Sequence, residues 1–290
     1  MGTNSKATLD SFQSIEFRQY GSVGCVTLNR PEVYNAFNST MQIELRTLWR
    51  HLRYDDSVRV VVVTGAGDKA FCSGIDRSEI GDDSAVVADP SKAVVGELVN
   101  VGATGETPFM FDDPGEAIGP KSCGLFKPII GAVNGIACGG AFYILGEVDF
   151  IIASENATFF DPHVTYGMTA AFEPILMLSK MPFGEVMRMS LMGNAERISA
   201  KRAYEIGLVS EIVLPQLLLE RCLEVAKVIA SNPPLAVQGT LRALWAARDL
   251  SPSHCTSLGY AFVGLGTSQE SLRQGQENFE SKERPKWTLR

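Results

Sequence analysis

A chain of 290 residues is long enough to bury a sizeable core as one domain with a tail. Its 45% hydrophobic and 20% charged residues are ordinary for a globular protein, and a net charge of −7 leaves no basic footprint for nucleic acid. An anionic ligand must then be met by local positive groups or backbone N–H groups rather than by the field of the whole protein.

The opening segment, residues 1–6, lacks the apolar stretch of a secretory signal and the Ser/Thr at position 6 that myristoylation needs. No apolar run reaches membrane-span length, so a cytoplasmic chain with no membrane partner is expected. Residues 22–28 read as a strand, which the turn at 29–32 closes. Ser39 or Thr40 offers a cap for a helix whose apolar stripe is Met41, Leu45, Leu48, Trp49 and Leu52. Val60–Thr64 is a continuous β-branched run, the pattern of a strand buried on both faces, and Gly65 to Asp68 closes it.

Residues 77–125 read differently, with Asp82-Asp83, Asp112-Asp113-Pro-Gly and scattered glycines. Long loops are usually functional lids or disordered segments, and a partly helical substrate lid is the expectation here. Pro128–Val133 and Val148–Ala153 read as further buried strands, and the strand–helix–strand order argues α/β. Leu217–Ala230 is amphipathic, and Pro234 suits the start of a helix over Leu235–Ala247. The expected organisation is a core over 1–205, with 77–125 as an extended loop, and a helical region over 206–290. The cysteines at 25, 72, 123, 138, 222 and 255 show no close pairing and read as buried and reduced. Histidines stand only at 51, 163 and 254, and no spacing suggests a metal site.

Two segments carry more information. One is Ala70-Phe-Cys-Ser-Gly-Ile-Asp76; the other is Asn134-Gly-Ile-Ala-Cys-Gly-Gly-Ala-Phe-Tyr143-Ile-Leu-Gly-Glu-Val-Asp149. Together, and at this separation, they resemble the enoyl-CoA hydratase/isomerase (crotonase) superfamily. Residues 191–200 and 204–213 continue the resemblance, which runs from about residue 15 to residue 287. It implies an α/β, crotonase-like spiral of ββα units with a helical C-terminal trimerisation region, assembled as a homotrimer or a dimer of trimers. Against the family pattern, the stretch from Asp76 to Lys127 is roughly twenty residues long in excess.

The resemblance also implies the ligand: an acyl-CoA, with coenzyme A as part of the substrate and no separate cofactor. Asn35-Ala36-Phe-Asn38 fits the family's CoA-binding segment. Asn35, Ala36, Ser73, Gly74, Asp76 and Gly139 are expected to line that site, and the ending Phe279 to Trp287 offers Lys282 to a CoA phosphate. No P-loop or GxGxxG supports ATP or nicotinamide chemistry. Two backbone N–H groups, those of Ile75 and Gly140, correspond to the oxyanion hole that holds the thioester oxygen. Adjacent glycines let a backbone approach a ligand closely, and if Gly140 opens a helix its N–H sits at a positive dipole end. Such preformed donors stabilise an enolate by several kcal/mol. Ala141 replaces a third family glycine without removing that N–H.

The acid/base positions depart from the family. Tyr143 and His163 stand where hydratases carry two glutamates. With a pKa near 10, Tyr143 is a poor base, but it can orient water, protonate an enolate or line the pocket. His163 titrates near neutrality and suits acid or base work. Some relatives that hydrolyse β-diketone carbon–carbon bonds also show Pro-His here, with an acid at the place of Phe172; in this chain Glu173 stands one position on, either as a substitute for that acid or as a solvated or helix-capping carboxylate. Ala171 fills the place where isomerase- and dehalogenase-type relatives carry Asp or Glu, which weighs against those reactions. Asp161, just before Pro162, is a candidate to orient His163; Glu147, four residues after Tyr143, either reaches the Tyr143 hydroxyl or has a surface or structural role; Asp149 and Glu155 read as structural. Three functions compete: an acyl-CoA enzyme using His163 as acid/base, a true enoyl-CoA hydratase of fatty-acid-type β-oxidation, and a non-catalytic acyl-CoA-binding scaffold.

Overall fold

The structure, a computed structural model, describes residues 11–79 and 114–281. Strands β1 (Ile15–Tyr20) and β2 (Val23–Leu28) form an antiparallel hairpin. Helix α1 (Ser39–Leu52) follows. Its cap is Asn38 rather than Ser39 or Thr40: the Asn38 carboxamide oxygen accepts the Met41 N–H at 2.9 Å. Asn38 keeps an extended backbone just before the first turn, and asparagine caps as well as serine does. The expected stripe of Met41, Leu45, Leu48, Trp49 and Leu52 is fully buried. Glu44, on the same helix, accepts the N–H groups of Gln13, Ser14 and Ile15 and so fastens the start of β1.

The next strands come in pairs. These are β3 (Val60–Gly65) with β4 (Ala70–Cys72), then, after α2 (Pro114–Ile118), β5 (Ile129–Val133) with β6 (Ile136–Cys138). Helix α3 (Ala141–Leu145) leads to β7 (Phe150–Ser154) and β8 (Thr158–Phe160), and α4 (Phe172–Met177) closes that repeat. Each pair gives its longer strand to a six-stranded sheet, ordered β1-β2-β3-β5-β7 with one more strand at the edge. Each gives its short strand to a four-stranded sheet, β4-β6-β8 and its edge strand. This is the spiral of ββα units that the resemblance implied. Strand β7 starts two residues later than the sequence suggested, because the Val148 N–H still bonds the Ile144 carbonyl at 3.0 Å in the helical turn before it.

Strand β3 shows why both faces had to be apolar. All six of its residues are buried; Val61 and Val63 enter the main core with Trp49, Phe71 and Phe142. Val60 and Val62 enter a second core on the other face. Alternate residues of a strand point to opposite faces, so only a doubly covered strand can carry four valines in a row.

Helix α5 (Phe183–Met192), β9 (Ile198–Ser199), α6 (Ala200–Glu205) and β10 (Glu211–Val213) follow, β9 and β10 being the two edge strands. The core therefore runs past residue 205: β10 pairs in parallel with β7, and α7 (Leu218–Ala230) covers the second core with Leu218, Cys222, Ala226 and Ala230. Then come α8 (Pro234–Asp249), α9 (Pro252–Gly266) and α10 (Gln269–Ser281). All six cysteines are free thiols, five of them buried. The expected lid falls mostly on residues 80–113, and Lys282 also lies outside the described residues. Among the described residues no helix is long and apolar enough to cross a membrane, and no cluster of His, Cys, Asp and Glu could hold a metal ion.

Candidate active site

Three turns meet at one end of the short sheet. The first follows β4, where Phe37 and Ile75 form an isolated parallel bridge. Phe37 donates to the Gly74 carbonyl and Asp76 donates to the Phe37 carbonyl, each at 2.9 Å. In parallel pairing this leaves the N–H of Ile75 pointing away from Phe37. Gly74 itself sits at φ +93, a conformation open to glycine. A methyl placed on it would lie 3.1 Å from the Gly140 nitrogen, so this turn abuts the next one directly.

The second turn is Gly139-Gly140, between β6 and α3. Gly139 has φ +51 and donates to the Phe160 carbonyl at 3.3 Å. At Gly140 a side chain would overlap the Phe37 ring. Helix α3 begins at Ala141 and is five residues long, so Gly140 does open a helix, but one of little more than a turn. Among the described residues, neither the Ile75 nor the Gly140 N–H donates to a backbone carbonyl outside the regular helices and strands.

The third turn follows β8. Asp161 is fully buried, and His163 opens a 3₁₀ turn after Pro162. A methyl on Gly139 would lie 3.7 Å from His163 Cε1, which places the imidazole beside the glycine pair. Asp161 Oδ1 lies 2.5 Å from His163 Nδ1 and also accepts the His163 backbone N–H at 3.1 Å. On the ring's other side, Glu173 Oε1 is 3.5 Å from Nε2. Glu173 sits in the first turn of α4 and is buried. The hydrogen bond to Asp161 raises the His163 pKa above its ordinary value; burial opposes this, and the charges of Glu173 and Asp161 reinforce it. The structure thus holds an imidazole between two buried carboxylates. Asp161 Oδ2 has no hydrogen-bond partner among the described residues.

The other expected site residues divide. Tyr143 is buried in the main core, with its backbone N–H on the Gly140 carbonyl at 3.2 Å. Glu147 does not turn to Tyr143: its carboxylate accepts the Lys121 and Ser122 N–H groups at 2.7 and 2.9 Å and the Ser122 hydroxyl. A carboxylate this buried requires such donors. Asp149 is structural, accepting from the Ile129 N–H at 2.5 Å and Trp245 Nε1 at 2.6 Å. Phe172 is half exposed, and Ala171 precedes α4.

Asn35 was expected to meet the ligand; in the structure its carboxamide is held by backbone groups. It accepts the Arg30 N–H at 3.0 Å and donates to the carbonyls of Ala66 and Ala70 at 2.9 and 2.8 Å. Both halves of the amide are spent holding the turn after β3. Asp76 likewise pairs with Arg30 at 2.8 Å and with Ser78. Burial acts to raise the Asp76 pKa, but the hydrogen bonds from Ser78 and Arg30 and the Arg30 charge outweigh it and hold the carboxyl low. Arg30 also donates to the Ala36 carbonyl at 2.7 Å. It is the residue sequence reasoning missed, since nothing in the local spacing signals a pairing across 46 positions. Ser73 donates its N–H to the Tyr34 carbonyl at 3.1 Å and its hydroxyl to the Val33 carbonyl at 3.3 Å, which ties the Ile75 turn to the 34–36 loop. Cys138, next to the glycine pair, is no ready nucleophile: burial pushes its thiol up to about 12.

A profile of the enoyl-CoA hydratase/isomerase family matches residues 18–104 and 123–290. (E)-Benzylidenesuccinyl-CoA hydratase of Thauera aromatica is 32% identical over 264 residues, 91% of this chain and 94% of that protein. Short-chain-enoyl-CoA hydratase of Clostridium acetobutylicum is 35% identical over 77% of this chain and 78% of its own length. Among solved structures, an enoyl-CoA hydratase/isomerase from Mycobacterium paratuberculosis superposes with a TM-score of 0.83 at 37% identity, covering 97% of this chain and 100% of that one. With the spiral of ββα units and the paired turns already described, these matches show that the chain belongs to the enoyl-CoA hydratase/isomerase family.

Proposed function

We propose that this protein is an acyl-CoA thioester-processing enzyme that gathers enolate charge on the Ile75 and Gly140 N–H groups and moves a proton through His163. The observation that carries this reading is the imidazole held between Asp161 and Glu173 beside the glycine pair. Two N–H donors suit the oxygen of a thioester as it becomes an enolate, and a dry site makes each worth more than in water. The flanking carboxylates favour the imidazolium, so His163 begins as an acid able to protonate a carbanion, and its conjugate base then serves to deprotonate or to activate water. Glu173 is the group that exchanges a proton with Nε2; Tyr143 lines the acyl pocket. Coenzyme A arrives as part of the substrate, with Ala36, Ser73, Gly74 and Gly139 forming the wall it passes. The assembly is a trimer or a dimer of trimers, with Tyr260 and Val263 on α9 and Phe279 on α10 exposed and available to it.

A second reading, hydration of a 2-enoyl-CoA, is favoured by the names of the relatives, two of which are hydratases about one-third identical to this chain. It requires Tyr143 and His163 to replace the two glutamates of the family pattern. Turnover of 2-enoyl-, 3-enoyl- and 3-oxoacyl-CoA by the wild type and by His163→Ala separates the readings. Cleavage of the 3-oxo ester, lost in the variant, fits carbon–carbon hydrolysis; hydration lost in the variant fits a hydratase. Turnover unchanged by His163→Ala would sink the role given to His163, and binding without any turnover would leave a scaffold.

A further inference from the structure

A cavity of about 370 Å³ lies far from the candidate active site. Its walls include Val58, Arg59 and Val60 at the start of β3, and Leu125, Phe126 and Lys127 just before β5. It therefore opens at the amino ends of the parallel strands. The turns of the candidate active site follow the short strands β4 and β6, which the chain reaches only after running the length of β3 and β5, ~20 Å for a six-residue strand at about 3.3 Å per residue. Helix α8 closes the other side with Leu235 and Arg242.

Three arginines, Arg53, Arg59 and Arg242, line this cavity in a chain of net charge −7. Each is braced from the side. Arg59 donates to the Asn232 carbonyl at 2.7 Å. Arg242 stacks on Phe126, with its guanidinium carbon 4.7 Å from the ring centroid. Arg53 rests over Gly124, where even a methyl would come within 3.1 Å of its guanidinium carbon, and 5.5 Å from the centroid of Tyr54. Asp56 is the acid among the lining residues, and the Lys127 ammonium is turned onto the carbonyls of Asp55 and Val58 at 2.5 Å. None of the three arginines is paired with a carboxylate at salt-bridge distance among the described residues. A planar guanidinium matches phosphate oxygens two at a time, and arginines held by stacking lose little freedom when they bind. A volume of this size is at the small end of ligand sites, ~300–1,000 Å³.

We propose that this cavity is a second ligand site, taking the phosphate or diphosphate group of a small molecule between Arg53, Arg59 and Arg242, apart from the thioester chemistry. The shared chemistry is the multiply charged phosphate group, which arrives free as an inorganic anion or carried on a nucleotide. The site is independent of the function proposed above.

The test is calorimetric titration of the full chain with inorganic pyrophosphate and, separately, with ADP. Both are repeated with Arg242→Glu, Arg53→Ala and Arg242→Lys, alongside acyl-CoA binding by the same proteins. Arg53 and Arg242 are exposed, so these variants keep the core intact. Saturable one-site binding is expected in the wild type, weakened at least tenfold by Arg242→Glu and by Arg53→Ala, less by Arg242→Lys, and reduced by added salt. Acyl-CoA affinity is expected to stay the same in all of them. ADP binding that responds to the same substitutions identifies a nucleotide source; pyrophosphate binding alone identifies the free anion. Absence of saturable binding of either probe overturns the proposal, as does binding that survives Arg242→Glu. A parallel loss of acyl-CoA affinity also overturns it, because the arginines would then belong to the thioester site.

Discussion

At the scale of single residues, the arrangement Asp161–His163–Glu173 sets what the site can do. Asp161 is buried and close enough to Nδ1 to fix both the ring's orientation and the nitrogen that faces Glu173. Because the His163 pKa is raised, first by Asp161, the imidazolium persists above the ordinary value of about 6.5. The stability it contributes is fully present below that value and is lost as pH rises through the folded pKa. Activity that needs the acid form should fall along the same limb. Asp161→Asn removes the largest cause and one charge, leaving burial against Glu173 alone. The expected result is a kcat roughly ten- to a hundredfold lower, with KM little changed and the basic limb of the pH–rate profile moved to lower pH. An unmoved limb would show that Asp161 only supports the fold.

At the scale of elements, α1 shows how local chemistry and packing combine. Its first turn depends on Asn38, and its stripe fills the main core with Leu48 and Trp49, whose indole N–H reaches the Ile118 carbonyl at 3.0 Å. Asn38→Ala should cost ~1 kcal/mol, read from urea unfolding, while Leu48→Ala should cost ~2–5 kcal/mol because a cavity is left behind. If Asn38→Ala proves neutral while Ser39→Ala destabilises, the cap assignment is wrong. The stripe was legible in the sequence since a helix repeats every 3.6 residues. The cap was displaced by one because Asn38, Ser39 and Thr40 are all capping types, and only the backbone conformation at Asn38 selects among them.

At the scale of the whole molecule, exposed apolar side chains are dense in two stretches, residues 164–192 and the helices from residue 217 onward. Tyr260 and Phe279 are 84% and 86% exposed, on helices that bury little against their own core. Large exposed apolar side chains on helices that bury little are candidates for an interface. If the proposed assembly is right, sedimentation of the full chain should give a trimer or a multiple of it, and the double substitution Tyr260→Glu with Phe279→Glu should shift it towards the monomer. A wild type that sediments as a monomer would refute the assembly.

The sequence by itself determined the fold class, the doubly buried strands, the helical stripes and the segments that become the paired turns. Periodicity and β-branched runs are local properties, readable one stretch at a time, and the resemblance of residues 70–76 and 134–149 to the family marked the turns. Only the tertiary structure decided which polar groups meet. Glu173 lies ten residues from His163 in sequence, yet comes within 3.5 Å of it because the turn after β8 folds back towards α4. Asn35, legible as part of a ligand-binding segment, becomes a strut because the carbonyls of Ala66 and Ala70 fall on its amide. Arg30 gained Asp76, and Glu147 gained the 121–122 backbone in place of Tyr143. A buried polar group takes whatever partner the packing brings within hydrogen-bond distance, and that choice is made in three dimensions after the local pattern has already fixed the elements.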